Sequence, residues 1–333
     1  GAIFTAAFIG GIFQIWIGKM LKPIRHMFPP LVTGIVVLMI GISLLKVGFK
    51  YAGGGVWLMN NKPEIFANWH HLTIAGTVLI VALLANIKGK GMASAASILI
   101  GIVAGFIVAA MLGEVRWEKI AAADWFALPM PLQYGIDFVW GAVILMLFMS
   151  IVTTIETIGD ISATTMGGAN REATNKELSG GIMADGVGTA FASIFNAMPN
   201  TSYSQNAGLV AFTGVISRHV GTVAGVILIL LGLFPKLGGI IAAMPDSVIG
   251  GAAIIMFGLI AGAGIKLISK SEMSQRNVLI LALSLSFGIG LYAFPEFVAH
   301  VPDLGIKLGL LLTTGLIPAG LLAFILNATL PKK

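Results

Sequence analysis

At 333 residues, with 57% hydrophobic and 10% charged side chains, the chain falls well below the roughly one quarter of charged residues that soluble domains carry; this leaves a polytopic membrane protein with the lipid bilayer as its solvent. Its net charge of +6 comes from basic residues that stand singly between apolar runs, as orientation markers do, and is no signal for nucleic acid. With no cysteine there are no disulfides or thiolate metal sites, and no P-loop, dinucleotide fingerprint, HExxH or His/Asp/Glu cluster of metal-ligand spacing is present.

A spanning helix needs about 20 apolar residues, and runs of that kind predict the elements in order. Ala2–Trp16 is the first. Lys19, Lys22 and Arg25 follow it rather than precede it, so it does not read as a signal peptide, and the chain is expected to begin in mid-protein. Pro30–Val47 comes next, with Pro30 at a helix start, where a missing N–H costs nothing. Tyr51–His71 reads as a polar loop, and Leu72–Ile87 and Met92–Leu112 as two spans. Gly113–Gly135 is a mixed-charge loop with Trp117 and Trp125 as interface anchors. Phe138–Thr164 is long and apolar but interrupted by Glu156 and Asp160. Thr165–Glu177 is a charged loop, and Leu178–Phe195 is a span carrying Asp185. A half-helix is predicted at Gln205–Val215, then spans at Val220–Phe234, Gly250–Ile268, Asn277–Leu291 and Ile306–Leu326.

The basic residues test this layout. Lys19, Lys22, Arg25, Lys88, Lys90, Arg171, Lys176, Arg218, Lys266, Lys270, Arg276, Lys332 and Lys333 fall on one side. The smaller set, Lys46, Lys50, Lys62, Arg116, Lys119, Lys236 and Lys307, falls on the other. The positive-inside rule puts the larger set and the C-terminus in the cytoplasm.

Asn200–Gly214 is the longest polar run that carries no charge. It follows Pro199, a helix breaker. Thr201–Ser204 is β-friendly, and helical pattern returns from Gln205. Broken backbone at membrane depth survives only where it is buried in protein or lines a cavity, and in transporters such breaks mark the substrate site. Gln205 offers both donor and acceptor to the edge of a heterocycle; a simple helix cap is the plainer reading. Tyr203 could stack on a flat ring or sit in an interface belt. Asn206 reads as structural.

Glu156 and Asp160 are four residues apart and share one face of one helix. A carboxylate inside the membrane is a functional-site candidate by default, and a like-charged pair able to share a proton suits proton coupling. The plainer alternatives are a structural pairing for Glu156 and contact with water for Asp160. Asp185, in a Gly-rich helix that allows close packing, either holds the broken segment or is a packing residue.

Gln205-Asn206-Ala-Gly208-Leu-Val-Ala-Phe-Thr213-Gly214 resembles the signature of the nucleobase–ascorbate transporter family (nucleobase:cation symporter-2). Glu156-Thr-Ile-Gly-Asp160, Gly180-Gly-Ile-Met-Ala-Asp185-Gly and Gly34-Ile-Val-Val-Leu-Met-Ile-Gly41 are similar to stretches of its bacterial xanthine and uric acid permeases. The resemblance implies an all-α polytopic membrane protein of the inverted-repeat 7+7 transporter fold. In that fold a core domain, here 1–28 and 138–240, would carry substrate against a gate domain, 29–137 and 241–333, in an elevator-like motion. A short broken β-strand would precede the half-helix. It also implies proton symport with no other cofactor, a purine base as substrate, and a homodimer through the gate in a plasma (bacterial inner) membrane. Glu156, Gln205, Tyr203, Ser204 and Asn206 would bind or shape the base site. Asp160 and Asp185 would couple protons or organise the site, and Thr213 and Gly214 would tune selectivity. The Gln at the first signature position looks like purine users. Glu156–Asp160 leans to xanthine and Thr201–Asn206 to uric acid, so both stay open.

Counting back from the signature, the chain is expected to open at the family's fourth segment, as a fragment of a longer protein. An inactive truncated chain is the alternative. A uracil permease and an anion carrier of the same architecture are the other transport readings. An intramembrane protease using Asp160 and Asp185 lacks a supporting nucleophile–base set, and no enzyme is expected.

Overall fold

The computed structural model describes residues 1–21, 29–203, 210, 215–299 and 312–331. Among these residues all regular structure is helical, with no strand. Among the described residues six helices are long and apolar enough to cross a membrane, and a seventh span follows if one bent pair is counted as a unit. The short strand expected at Thr201–Ser204 does not form over its described part, Thr201–Tyr203. A strand needs a partner ladder, whereas here the side chains of residues 201 and 202 bond to carboxylates, as detailed below.

The helices are α1 (Ala2–Lys19), α2 (Pro30–Ala52), α3 (Val56–Asn61), α4 (Trp69–Lys88), α5 (Met92–Ala95), α6 (Ser97–Met111), α7 (Trp117–Ala122), α8 (Trp140–Ala169), α9 (Asn175–Ile194), α10 (Arg218–Gly232), α11 (Pro235–Ala243), α12 (Asp246–Ile268), α13 (Gln275–Ala293), α14 (Glu296–Ala299) and α15 (Leu316–Thr329). The loops expected at 51–71 and 113–135 contain α3, a 3-10 turn at Pro63–Ile65, and α7. The span expected at Val220–Phe234 is followed at once by a helix bent from it by 80°. Pro235 lacks an N–H and opens the second helix rather than continuing the first.

The chain divides into two compact units. The first comprises Gly1–Ser43, Met130–Gly214 and Ile260–Lys333; the second comprises Leu44–Pro129 and Val215–Leu259. In the first unit, α1 packs on α8 and α9 through glycines. Apolar side chains gain little by meeting one another in lipid, so close backbone approach and hydrogen bonding must hold such helices. A methyl group added to Gly11 would stand 2.6 Å from the Gly186 carbonyl oxygen, and one added to Gly186 would stand 2.6 Å from that of Gly11. Ser150 Oγ lies 3.0 Å from the Gly10 carbonyl oxygen, and Ser179 Oγ donates to that of Gly18 at 2.7 Å. Leu21, Leu178 and Ile182 close the seam with apolar burial.

A second core in this unit gathers Leu31, Val32, Ile35 and Met39 of α2 with Ile280 of α13 and Ala319 and Ala323 of α15. Tyr292 Oη donates to the Ser43 carbonyl at 2.7 Å. Arg276 caps the end of α15 by donating to the carbonyls of Asn327 and Leu330. The turn between α8 and α9 is also tied. Asn170 adopts a left-handed conformation (φ 50°) after α8, and Thr174 and Glu177 form a reciprocal capping box at the start of α9. Arg171 donates to both Glu177 oxygens. That guanidinium, with the Thr174 donors, holds the Glu177 carboxyl well below the usual carboxylate range.

The second unit centres on Ile74 and Val78 of α4, Ala109 of α6, and Val248 and Ala252 of α12. Gly101 and Gly105 bring α6 against Val78. Lys236 Nζ donates to the carbonyls of Ala121 and Ala123 and lies 5.2 Å from the Trp125 ring centre.

The glycine seam predicts a position-specific cost. Gly11→Ala and Gly186→Ala should each destabilise by about 1–3 kcal/mol through overpacking, read as a lower Tm in detergent. Gly180→Ala, whose added methyl meets nothing within 4 Å, should leave Tm unchanged or raise it, because alanine favours the helix. Equal behaviour of the three variants would contradict the seam.

Candidate functional site

Helix α8 carries Glu156, Thr157 and Asp160 within about one turn, and α9 carries Asp185. The two helices meet where Gly181 leaves room for Ile161 and Thr157. Thr157, 1% exposed, donates its hydroxyl to Asp185 Oδ2. This bond ties the two carboxylate-bearing helices together.

After Ile194 the chain leaves the helix. Phe195 is the C-cap, Asn196 turns into the left-handed region at φ 60°, and Pro199 follows. Asn196 Nδ2 donates to the Met130 carbonyl at 2.8 Å, and the Leu132 N–H donates to the Ile194 carbonyl at 2.8 Å. The next three residues are each fixed by a hydroxyl. The Asn200 N–H donates to Thr189 Oγ1 at 3.0 Å, and that hydroxyl lies 3.3 Å from the Asn200 carbonyl oxygen. Thr201 Oγ1 donates to Glu156 Oε2 at 3.1 Å, and Ser202 Oγ donates to Asp160 Oδ2 at 2.5 Å. Gly188 is bare where the Asn200 side chain passes; a methyl there would stand 2.7 Å from Asn200 Nδ2.

Two neighbouring residues of a non-helical segment thus reach two carboxylates one helical turn apart. Among the described residues each of the three carboxylates takes one hydroxyl donor. A carboxylate has about four acceptor positions, so Glu156 retains capacity for a further donor. Carboxylates and hydroxyls in a helical span can bind a neutral polar molecule through N–H and C=O groups, and they can exchange protons. Among the described residues no group of three His, Cys, Asp or Glu side chains could hold a metal ion.

The expected site residues fall as follows. Glu156 and Asp160 are bonded to Thr201 and Ser202 of the 200–202 segment, whereas Asp185, expected either to hold that segment or to pack, takes its hydroxyl donor from Thr157 of α8 instead. Tyr203 directly follows it and is 51% exposed. Ser204, Gln205, Asn206, Thr213 and Gly214 lie outside the described residues. Sequence reasoning did not single out Thr157, Thr189, Thr201 or Ser202 as partners. The available signal was the presence of hydroxyls beside carboxylates in an apolar chain, where each buried charge needs a donor.

A family model described as "Permease family" (Xan_ur_permease) matches residues 1–297. A Clostridium perfringens protein with a provisional purine permease name is 38% identical over 99% of this chain and 71% of its own length. The xanthine permease XanP of Escherichia coli K12 is 33% identical over 100% of this chain and 72% of its own. The uric acid permease PucJ of Bacillus subtilis is 34% identical over 98% and 72%. Among solved structures, the transmembrane domain of the cyanobacterium bicarbonate transporter BicA aligns over 97% of this chain and 75% of its own, at 16% identity and a TM-score of 0.47.

The Thr157–Asp185 bond predicts that Thr157→Val, nearly equal in shape, destabilises the protein by about 1–3 kcal/mol, because a part-buried carboxylate loses its donor. Thr157→Ser should restore most of the loss. Thermal unfolding in detergent reads both, and an unchanged Tm in the valine variant would contradict the bond.

Proposed function

The chain belongs to the permease family whose model spans residues 1–297, and from that membership we propose that it carries a purine base, xanthine or uric acid, across the bacterial plasma membrane together with protons. The observation that carries this reading is the set of three carboxylates in or beside apolar spans, two of them bonded to the segment that leads into Gln205. Relatives named as xanthine and uric acid permeases, each above 30% identity, supply the substrate class.

In the proposed mechanism Glu156 accepts an N–H of the base with its spare lone pairs, while Thr201 keeps the other side of the carboxylate oriented. Gln205 pairs with the amide-like edge of the base through its own donor and acceptor. Tyr203 stacks on the flat ring, Ser204 contributes through its backbone, and Asn206 shapes the pocket. Thr213 and Gly214 tune which purine is accepted. Asp160 and Asp185 take up and release the coupling proton or keep the site in register. An ionisable pair at such a depth is an expected element of a proton relay. Residues 1–28 and 138–240 would act as the substrate-carrying core and 29–137 and 241–333 as the gate, with elevator-like motion between them and gate-mediated homodimers. The C-terminus would face the cytoplasm.

Uptake of labelled xanthine and uric acid tests the reading, in cells that lack their own purine permeases and express the full-length protein. At least one base should accumulate, and a protonophore should collapse the accumulation. Glu156→Gln should cut kcat/KM by roughly ten- to a hundredfold, the scale of a lost hydrogen bond to a charged group. Normal uptake by Glu156→Gln would refute the site assignment, and accumulation indifferent to the protonophore would refute proton coupling.

A further inference from the structure

Gln14 of α1 is 1% exposed, and its side-chain Nε2 meets no hydrogen-bond partner among the described residues. A buried amide without a partner is costly. Leucine or methionine at the same place would carry no such cost, so packing alone does not explain the residue.

Its neighbours place it. Gln14 lies four residues after Gly10, three after Gly11 and four before Gly18, and so on the face those glycines share. Gly10 faces Met146 and Ser150 of α8. Gly11 faces Gly186 and Ala190 of α9, Gly18 faces Ser179 and Met183, and Gly186 in turn faces Ile15. As α1 runs from 11 to 18 its partners on α9 fall from 190 to 179, so the two helices are antiparallel. Gln14 is therefore level with residues 183–186, the stretch that holds Asp185. Toward α8, Thr5 Oγ1 accepts from the Asp137 N–H just before that helix and Gly10 meets Met146 and Ser150, so the two helices run parallel and Gln14, four residues on, is level with residues 150–154, short of Thr157. The titratable groups on the packed elements are Glu156 and Asp160 of α8 and Lys176, Glu177 and Asp185 of α9, with Lys176 and Glu177 in the first turn of α9 two turns before Asp185; α1 carries no titratable side chain before Lys19.

From a buried side-chain Nε2 that meets no partner among the described residues, at the depth of Asp185, we propose that Gln14 is a positioning residue for Asp185, the donor to which that carboxylate turns when its bond from Thr157 opens. The inference rests on the transport reading above for its role in the cycle. Its physical content, a coupling between two side chains on α1 and α9, stands apart from the substrate. A carboxylate that changes its protonation or moves with the transport cycle needs a donor in each of its positions. Thr157 supplies one in the arrangement seen here, and Gln14 supplies the other from the opposite flank.

The test uses Gln14→Met, which conserves side-chain length and removes the amide, in the full-length protein. The variant should be as abundant as the parent and equal or higher in Tm, because a costly unpaired donor is gone. Its uptake of labelled xanthine or uric acid should nevertheless fall about tenfold, with a displaced pH profile of uptake. A second measurement needs no substrate. The Tm shifts of Gln14→Met, Asp185→Asn and the double variant form a cycle, and the double shift should depart from the sum of the singles. Parent-like uptake with an unchanged pH profile, or additive Tm shifts, would overturn the proposal. Absence of uptake by the parent itself would count against the purine reading, and the Tm cycle would still decide for or against Gln14.

Discussion

Three carboxylates, Glu156 and Asp160 within the apolar helix α8 and Asp185 in the glycine-rich α9 beside it, need donors, and the arrangement of the first unit follows from the need to give each of them one. A carboxylate moved out of water without one is not tolerated. Here the donors are hydroxyls placed at short range: Thr157 for Asp185, Thr201 for Glu156 and Ser202 for Asp160. The bonds are also structural ties. The first joins α8 to α9, and the other two bring the non-helical segment after Pro199 to the face of α8. With Thr189 holding Asn200 from α9, that segment is seated in a groove between two helices before the chain reaches Gln205.

Such short ties require the helices to be close, and small residues make them so. Gly181 lets α8 approach α9, Gly188 admits the Asn200 side chain, and the Gly11–Gly186 contact brings α1 behind the carboxylates. Gly186 directly follows Asp185, so the residue that sets helix spacing and the residue that carries charge are neighbours in sequence. The cost of this economy is sensitivity: a single methyl group in the seam would meet main-chain atoms, which have nowhere to go.

Much of this was legible in the sequence. Apolar runs set most of the described helices to within a few residues, since lipid thickness and hydropathy leave few alternatives; the run at Met92–Leu112 is broken at Ala96, the helix over Leu178–Phe195 is not among those apolar enough to cross a membrane, and most of Gln205–Val215 and the start of Ile306–Leu326 lie outside the described residues. Glu156, Asp160 and Asp185 stood out because charge in an apolar run is rare and expensive. The break after Phe195 was signalled by Pro199, although the left-handed turn at Asn196 was not. Other features were hidden for physical reasons. The 80° bend between α10 and α11 arises where Pro235 starts a new helix within what looked like the edge of a span. The strand expected from the β-friendly Thr201–Ser204 depended on a partner ladder, and over 201–203 side-chain bonds to carboxylates take its place. Hydroxyl partners such as Thr157 could not be separated from ordinary helix threonines without knowing which helices meet. Gln14, a lone amide in an apolar span, carries no signal in the sequence; its burial and an Nε2 without a partner among the described residues are visible only in the structure.

The central claim is that the carboxylate–hydroxyl constellation around Glu156 serves a purine site. Calorimetric titration of the purified full-length protein with xanthine, uric acid and uracil tests it most directly, with Glu156→Gln measured beside the parent. The account predicts that xanthine or uric acid binds more tightly than uracil, and that this binding is weakened at least about tenfold in Glu156→Gln, as for a lost charged hydrogen bond. Preference for uracil, binding of no base at all, or equal affinity in the two proteins would contradict it.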